Sequence, residues 1–223
     1  MEKNIFDKTF FKAAVLTMVV FFVGIAFGMW MDSIRLNEVE TSIEEITIQW
    51  NDARMLESYY EAFVDTPGFC DSAIQANLDF NEEIYEQGTK IERYETVNKF
   101  TPSLQLEKKR YALLQIQFWM NSIHLRDTCD VDYTTLVYLH SKNESFAIDQ
   151  KVQSAVLLDA KKMCGGDLML IPLPADLGIQ TVELVKSNFG IETFPSIIIN
   201  EDIVLQGLQT EGDLSAYLPC MNG

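Results

Sequence analysis

Four cysteines, Cys70, Cys129, Cys164 and Cys220, carry the most obvious chemistry in this chain. No two are spaced C-x-x-C, and the sequence has only 2 histidines, so the paired ligands of a zinc site are missing. All four lie beyond a long apolar run near the N-terminus. An even count in an oxidising compartment reads first as two disulfides. Four cysteines allow several connectivities, among which sequence alone does not choose. A lone reactive thiol at Cys164, before Gly165 and Gly166, stays open. Asn143-Glu144-Ser145 is the only N-x-S/T sequon, a glycan acceptor if its loop is exported. Neither a metal nor a cofactor is expected.

Composition narrows the classes around these residues. Lys and Arg number 17 against 33 Asp and Glu, a net charge of −16, which argues against nucleic acid as a partner because polyphosphate needs basic neutralisation. At 48% hydrophobic residues the chain has too much apolar surface to remain disordered. With 11 Gly and 6 Pro it is not a fibrous protein.

The apolar residues are unevenly spread. From Ala13 to Met31 the chain runs 19 residues without a charge. At ~1.5 Å per residue that is roughly 28 Å, close to the hydrocarbon thickness of a bilayer. A buried core helix would need more protein around it than this chain supplies. A cleaved signal peptide competes, with Lys3, Lys8 and Lys12 as its basic end and Ala26-Phe27-Gly28 as its cleavage site. The run is longer than a signal-peptide core and continues through Trp30, a residue suited to the interface, which favours an uncleaved anchor. Basic residues precede the span and acidic ones follow it, so residues 1–12 are expected in the cytoplasm and residues 32–223 outside. The first 31 residues hold 3 basic and 2 acidic groups, which leaves 14 basic and 31 acidic in the exported part, a net of −17. Such a surface is not drawn to anionic lipid.

Residues 32–128 read as helices. From Leu36 to Val64, apolar residues recur at Val39, Ile43, Ile46, Trp50, Ala53, Leu56, Tyr60 and Phe63, a helical stripe. Thr66-Pro67-Gly68 breaks it. A second helix over 70–98 carries Ile74, Leu78, Ile84, Tyr85, Ile91, Tyr94 and Val97. Thr101-Pro102-Ser103 is the next break, with Ser103 as helix cap. The third, over 103–126, carries Leu106, Tyr111, Leu114, Phe118 and Ile123. These amphipathic helices are expected to pack as an antiparallel, coiled-coil-like bundle, the first continuing from the span as a stalk. Trp50, Tyr59, Tyr60, Phe118 and Trp119 could form a partner-binding stripe, although helical spacing favours core packing.

Beyond residue 129 the pattern changes. Thr134–Leu139 reads as a strand, and 148–163 as a helix with Val152, Ala155, Val156 and Leu158 inward. Leu168–Leu173 is a second strand, 180–189 a helix stopped by Gly190. Residues 196–200 and 203–206 form a hairpin about Glu201-Asp202, and 211–218 a last helix. The order β-α-β-α-β-β-α, with continuous apolar strands, predicts an α/β sheet buried on both faces.

That order, with Thr193-Phe194-Pro195-Ser196 leading into the third strand, resembles the thioredoxin superfamily over residues 131–219. The string FGIETFPSIIIN is similar to the family's proline segment, which implies that Pro195 is the cis-proline of a peptide groove lined also by Phe194, Thr193 and residues 141–148. The resemblance is to membrane-anchored extracytoplasmic forms with a helical stalk. The chain departs from the family where the chemistry would be. The C-x-x-C that should open the helix after the first strand is replaced by Glu144 and Ala147, so no dithiol exchange can start there. Ser145 has no base placed to activate it, and His140 reads as a surface or capped side chain. In the resembled fold the ends of two helices bring Cys164 beside Cys220, and the antiparallel second and third helices leave Cys70 beside Cys129. The resemblance thus favours Cys164–Cys220 and the helical hairpin Cys70–Cys129, among three connectivities that the sequence leaves open.

The expected protein has an N-terminus at 1–12, a transmembrane anchor at 13–31, a helical stalk at 32–128 and a thioredoxin-like domain at 129–223. It is expected to act as a non-catalytic binding or scaffolding module for a protein or peptide partner outside the cell. A thiol-disulfide oxidoreductase using a labile non-standard cysteine pair is the alternative, and an assembly subunit that oligomerises through the stalk is a third reading.

Overall fold

Apolar spacing of three and four residues builds long helices in the first half of the chain. The computed structural model describes residues 3–97 and 102–222. Helix α1 runs Lys3–Phe63, α2 Phe69–Val97 and α3 Pro102–Cys129. Two compact units divide within α1, one ending at Glu44 and the other beginning at Glu45. The first contains Phe10–Met31, a segment of mean hydropathy 2.3, long and apolar enough to cross a membrane, a property it shares with signal sequences. The turn after α1 is made at Gly68, whose φ of 79° suits a residue without a Cβ. Helix α3 begins one residue before the expected Ser103, at Pro102, because proline is tolerated in a first helical turn. The expected positions Thr101 and Asn98 lie outside the described residues, as do the side chains of Leu36, Val39, Ile43, Tyr94, Val97 and Ser103.

In the second unit, Ile46 packs with Ile91 and Leu104 at one end, and Tyr60 with Phe69, Ala73 and Leu125 at the other. Helix α2 therefore runs antiparallel to α1 and to α3. Tyr60, Phe118 and Trp119 are buried, whereas Phe63, Tyr85 and Leu106, read as inward, are exposed. At ~100° per residue Phe63 sits at the edge of the buried stripe of α1, whereas Tyr85 and Leu106 fall well off the buried faces of α2 and α3. Gly88 lets α3 come close to α2. Tyr111 crosses over Gly88 and donates its hydroxyl to the Ile84 carbonyl at 3.1 Å. A Cβ at Gly88 would stand 2.4 Å from that hydroxyl, whose pKa burial pushes well above the usual phenol range. Alanine gains about 1 kcal/mol of helix propensity but must displace the half-buried Tyr111 ring, so Gly88→Ala is expected to destabilise by about 2 kcal/mol net. Thermal unfolding of the G88A chain checks this, and Tyr111→Phe in the same background should restore part of the loss.

The remainder follows the order β1 (Thr134–His140), α4 (Ala147–Cys164), β2 (Leu168–Pro174), α5 (Gln180–Asn188), β3 (Ser196–Ile199), β4 (Ile203–Gln206) and α6 (Glu211–Ser215). The sheet order is β2-β1-β3-β4, with β1 parallel to β2 and antiparallel to β3, and β3 antiparallel to β4. Alternation along the strands separates two faces. Val137, Leu139, Met169, Ile171 and Ile198 join Phe118 and Trp119 of α3 and Val182 and Val185 of α5. Leu136, Tyr138, Leu168, Ile197 and Ile199 pack with Leu157 and Ala160 of α4 and Leu214 of α6. The expected boundary at 128/129 falls between elements that share one core, because α3 covers a face of the sheet.

Three local readings are corrected. Helix α4 buries Gln150, Gln153, Leu157, Ala160 and Cys164, while Val152, Ala155 and Leu158, read as inward, are exposed. Two glutamines hold the inward positions of its first turns because each hydrogen-bonds a loop. The hairpin turn lies one residue earlier than read, with Asn200 (φ 46°) and Glu201 (φ 59°) left-handed and Asp202 donating its N–H to Ile199. Asparagine tolerates this conformation, and Asn200 also pairs with Thr135 through its backbone N–H and its Oδ1. Helix α6 stops at Ser215 rather than reaching Leu218, which is nonetheless buried.

Both sheet edges are blunted. The N–H of Ala175 donates to His140 of β1, so the alternate residues Pro172 and Pro174 turn their missing donors outward. The outward carbonyl of Leu168 is held by the Lys161 ammonium at 2.6 Å, whose pKa burial lowers. On the far edge, Gly207 donates to Pro195, which turns Val204 and Gln206 outward, and the Gln206 carbonyl accepts from Gln209.

Candidate functional site

Three segments converge where β1 ends. Leaving His140, the chain makes a short loop, a 3-10 turn over Glu144–Phe146 and then α4. Asn143 caps the turn, its Oδ1 accepting from the N–H and hydroxyl of Ser145 at 3.0 and 2.9 Å. Buried Gln150 grips the loop from the helix side: its amide accepts from the Ser141 N–H and donates to the Ser141 carbonyl. Asp176 accepts from the Lys142 N–H and the Ser141 hydroxyl. Glu144 and Ala147, which stand where the resemblance would put thiols, are exposed.

Facing them is the segment before β3, in which the Phe194–Pro195 peptide is cis and Pro195 is buried. Gln206 of β4 clamps this segment: its Oε1 accepts from the N–H groups of Glu192 and Thr193, and its Nε2 donates to the Gly190 carbonyl. The Ser196 hydroxyl closes onto the Thr193 carbonyl at 2.7 Å. Among the described residues no hydrogen-bond partner takes up the N–H or C=O of Phe194. The half-buried rings of Phe194 and Phe146 meet edge to face at 5.7 Å. The result is a rigid backbone with one residue free to pair and an apolar wall beside it.

The cysteines are elsewhere. Cys70 pairs with Cys129, and Cys164 with Cys220. Cys164 ends the 18-residue α4, about 25 Å along its axis from the exposed end that faces Pro195. His140 has its ring 5.5 Å from Tyr138 at the end of β1, and His124 stacks on Tyr60 in the bundle. Sequence reading missed Gln150, Gln206 and Asp176. Each acts on backbone distant in sequence, so no local spacing marks it. Phe146 carried a signal, an aromatic between the two positions of the missing dithiol.

No family model and no curated protein matches the sequence. Among solved structures, a malarial protein aligns with 39% of this chain and 94% of its own length, at 18% identity and a TM-score of 0.33. Thioredoxin-2, a component of malaria parasite protein secretion machinery, aligns with 39% of this chain and 82% of its own, at 19% identity and a TM-score of 0.33. The chain itself is a mixed α/β protein with a four-stranded sheet and one apolar N-terminal helix.

Proposed function

We propose that the chain is a membrane-anchored, extracytoplasmic thioredoxin-like protein without a redox dithiol, whose α/β part binds an extended peptide and performs no chemistry on it. The observation carrying this reading is the free backbone of Phe194, clamped beside Pro195 and walled by Phe146. An extended strand can pair with such a residue through main-chain hydrogen bonds and seat an apolar side chain on the aromatic pair. Glu144 and Ala147 supply no thiol to attack the occupant. The anchor reading rests on the apolar run and the lysines before it, and an oxidising location agrees with four cysteines in two bridges.

The test uses the full chain in detergent against an array of cysteine-free peptides. Binding is expected, with Phe194→Ala weakening it about tenfold through loss of one aromatic contact. Insulin reduction should stay at background. If no peptide binds the folded protein, or if it reduces insulin with turnover, the reading fails, the second result in favour of an oxidoreductase.

A further inference from the structure

The outer face of α4 bears residues that a helix of a monomer normally turns inward. Ile148 is 79% exposed, Val152 45% and Leu158 42%, and Ala155 between them is exposed as well, while Gln150 and Gln153 are buried. An apolar line on the solvent side of a well-formed helix marks a contact surface. We propose that this face docks on α4 of a second copy of the chain, the two helices antiparallel about a two-fold axis at Ala155.

The sequence of α4 is self-complementary about that residue. Lys151 lies four residues before Ala155 and Asp159 four after it, so the axis puts each lysine level with the second copy's aspartate, twice over, where it joins Lys162, which already holds Asp159 at 2.8 Å within one copy. Val152 and Leu158, three residues before and after, likewise come level and pack. Ile148 meets the aliphatic stem of Lys162. Ala155, the smallest side chain of the line, stands at the crossing, where it allows close backbone approach. A closed two-fold contact of one patch with itself is the usual way a soluble chain pairs. Long-range charge points to the same place. At −16 net, two copies repel over most of their surface, but on this face Lys151 and Lys162 stand against the single carboxylate of Asp159.

The test places a thiol at the axis. The native cysteines are all paired, so Ala155→Cys adds the one free thiol of the full chain in proteoliposomes. Oxidation with copper phenanthroline should give A155C dimers at least ten times faster than a Ser187→Cys control on exposed α5. Adding Lys151→Glu should slow A155C crosslinking about tenfold (~1.4 kcal/mol), and the swap K151E/D159K should restore it. Near-UV circular dichroism confirms that each variant is folded. Crosslinking no faster than the control, or a swap that fails to restore it, overturns the proposal. Protection of the A155C thiol from maleimide without dimers would assign the face to the bilayer and overturn it too.

Discussion

Glu201→Ala is expected to destabilise the protein by about 3 kcal/mol, a larger loss than its place in a hairpin turn suggests. Its carboxylate accepts from the Trp119 indole N–H at 2.6 Å and the Thr135 hydroxyl at 2.6 Å, and it pairs with the Arg126 guanidinium. Both members of the ion pair have side chains only about one fifth exposed, at 21% and 20%, so the contact is not a surface pair of negligible worth. Truncation leaves the indole N–H, on a residue 1% exposed, without its acceptor, and a half-buried guanidinium with its weaker partners Asn200, Thr135 and, at 3.8 Å, the exposed carboxylate of Asp127. An orphaned buried donor costs about 1–3 kcal/mol, and a lost charge-assisted bond a similar amount. Because Glu201 sits at φ 59°, Glu201→Gly loses the same contacts but relieves backbone strain, and should be about 1 kcal/mol less damaging. Thermal unfolding of the two variants, with Trp emission as a second probe, checks both statements. Equal midpoints for E201A and the parent chain would remove the carboxylate from any structural role.

Cys164→Ser with Cys220→Ser should cost about 4 kcal/mol, since the bridge closes a loop of 56 residues and the chain-entropy relation gives that size. The second bridge, across 59 residues, has nearly the same entropic worth, yet its removal should look different. The ends of α2 and α3 remain packed through Tyr60, Phe69 and Leu125. The C-terminal segment beyond the five-residue α6 is held mainly by Leu214, Leu218 and the bridge. Limited proteolysis should therefore cut the C164S/C220S chain near residue 216 before global unfolding, and the C70S/C129S chain only on unfolding. The same cleavage pattern for both would show that the bridge does not hold this terminus locally.

The elements could be read from the sequence because their signals are local. The apolar run of β1, the breaks at Pro67 and Pro102, and the hairpin beside Asn200 each declare themselves within a few residues. The phase of α4 did not, since its burial is decided by what Gln150 and Gln153 reach: the Ser141 backbone in one case, the Gln209 N–H in the other. Polarity alone assigns both to solvent. The role of α3 as a cover for the sheet was hidden for a related reason. Helical periodicity reports that a face is buried, not against what, and α3 buries one side on α2 and another on β-strands. At the candidate site, the proline segment was legible as a string, whereas the clamp by Gln206 needs the β3–β4 register before it exists.

An open sheet is ordinarily a template for growth at both ends, and two copies that add strand to strand can continue into an amyloid-like ribbon. Here the β2 side is barren, with prolines at two successive outward positions and a lysine plugging a third, and β4 offers a ledge of four residues. A newcomer pairing on the ledge presents its own sterile side to the next, so stacking halts after one addition. That geometry keeps crowding from turning into irreversible deposition.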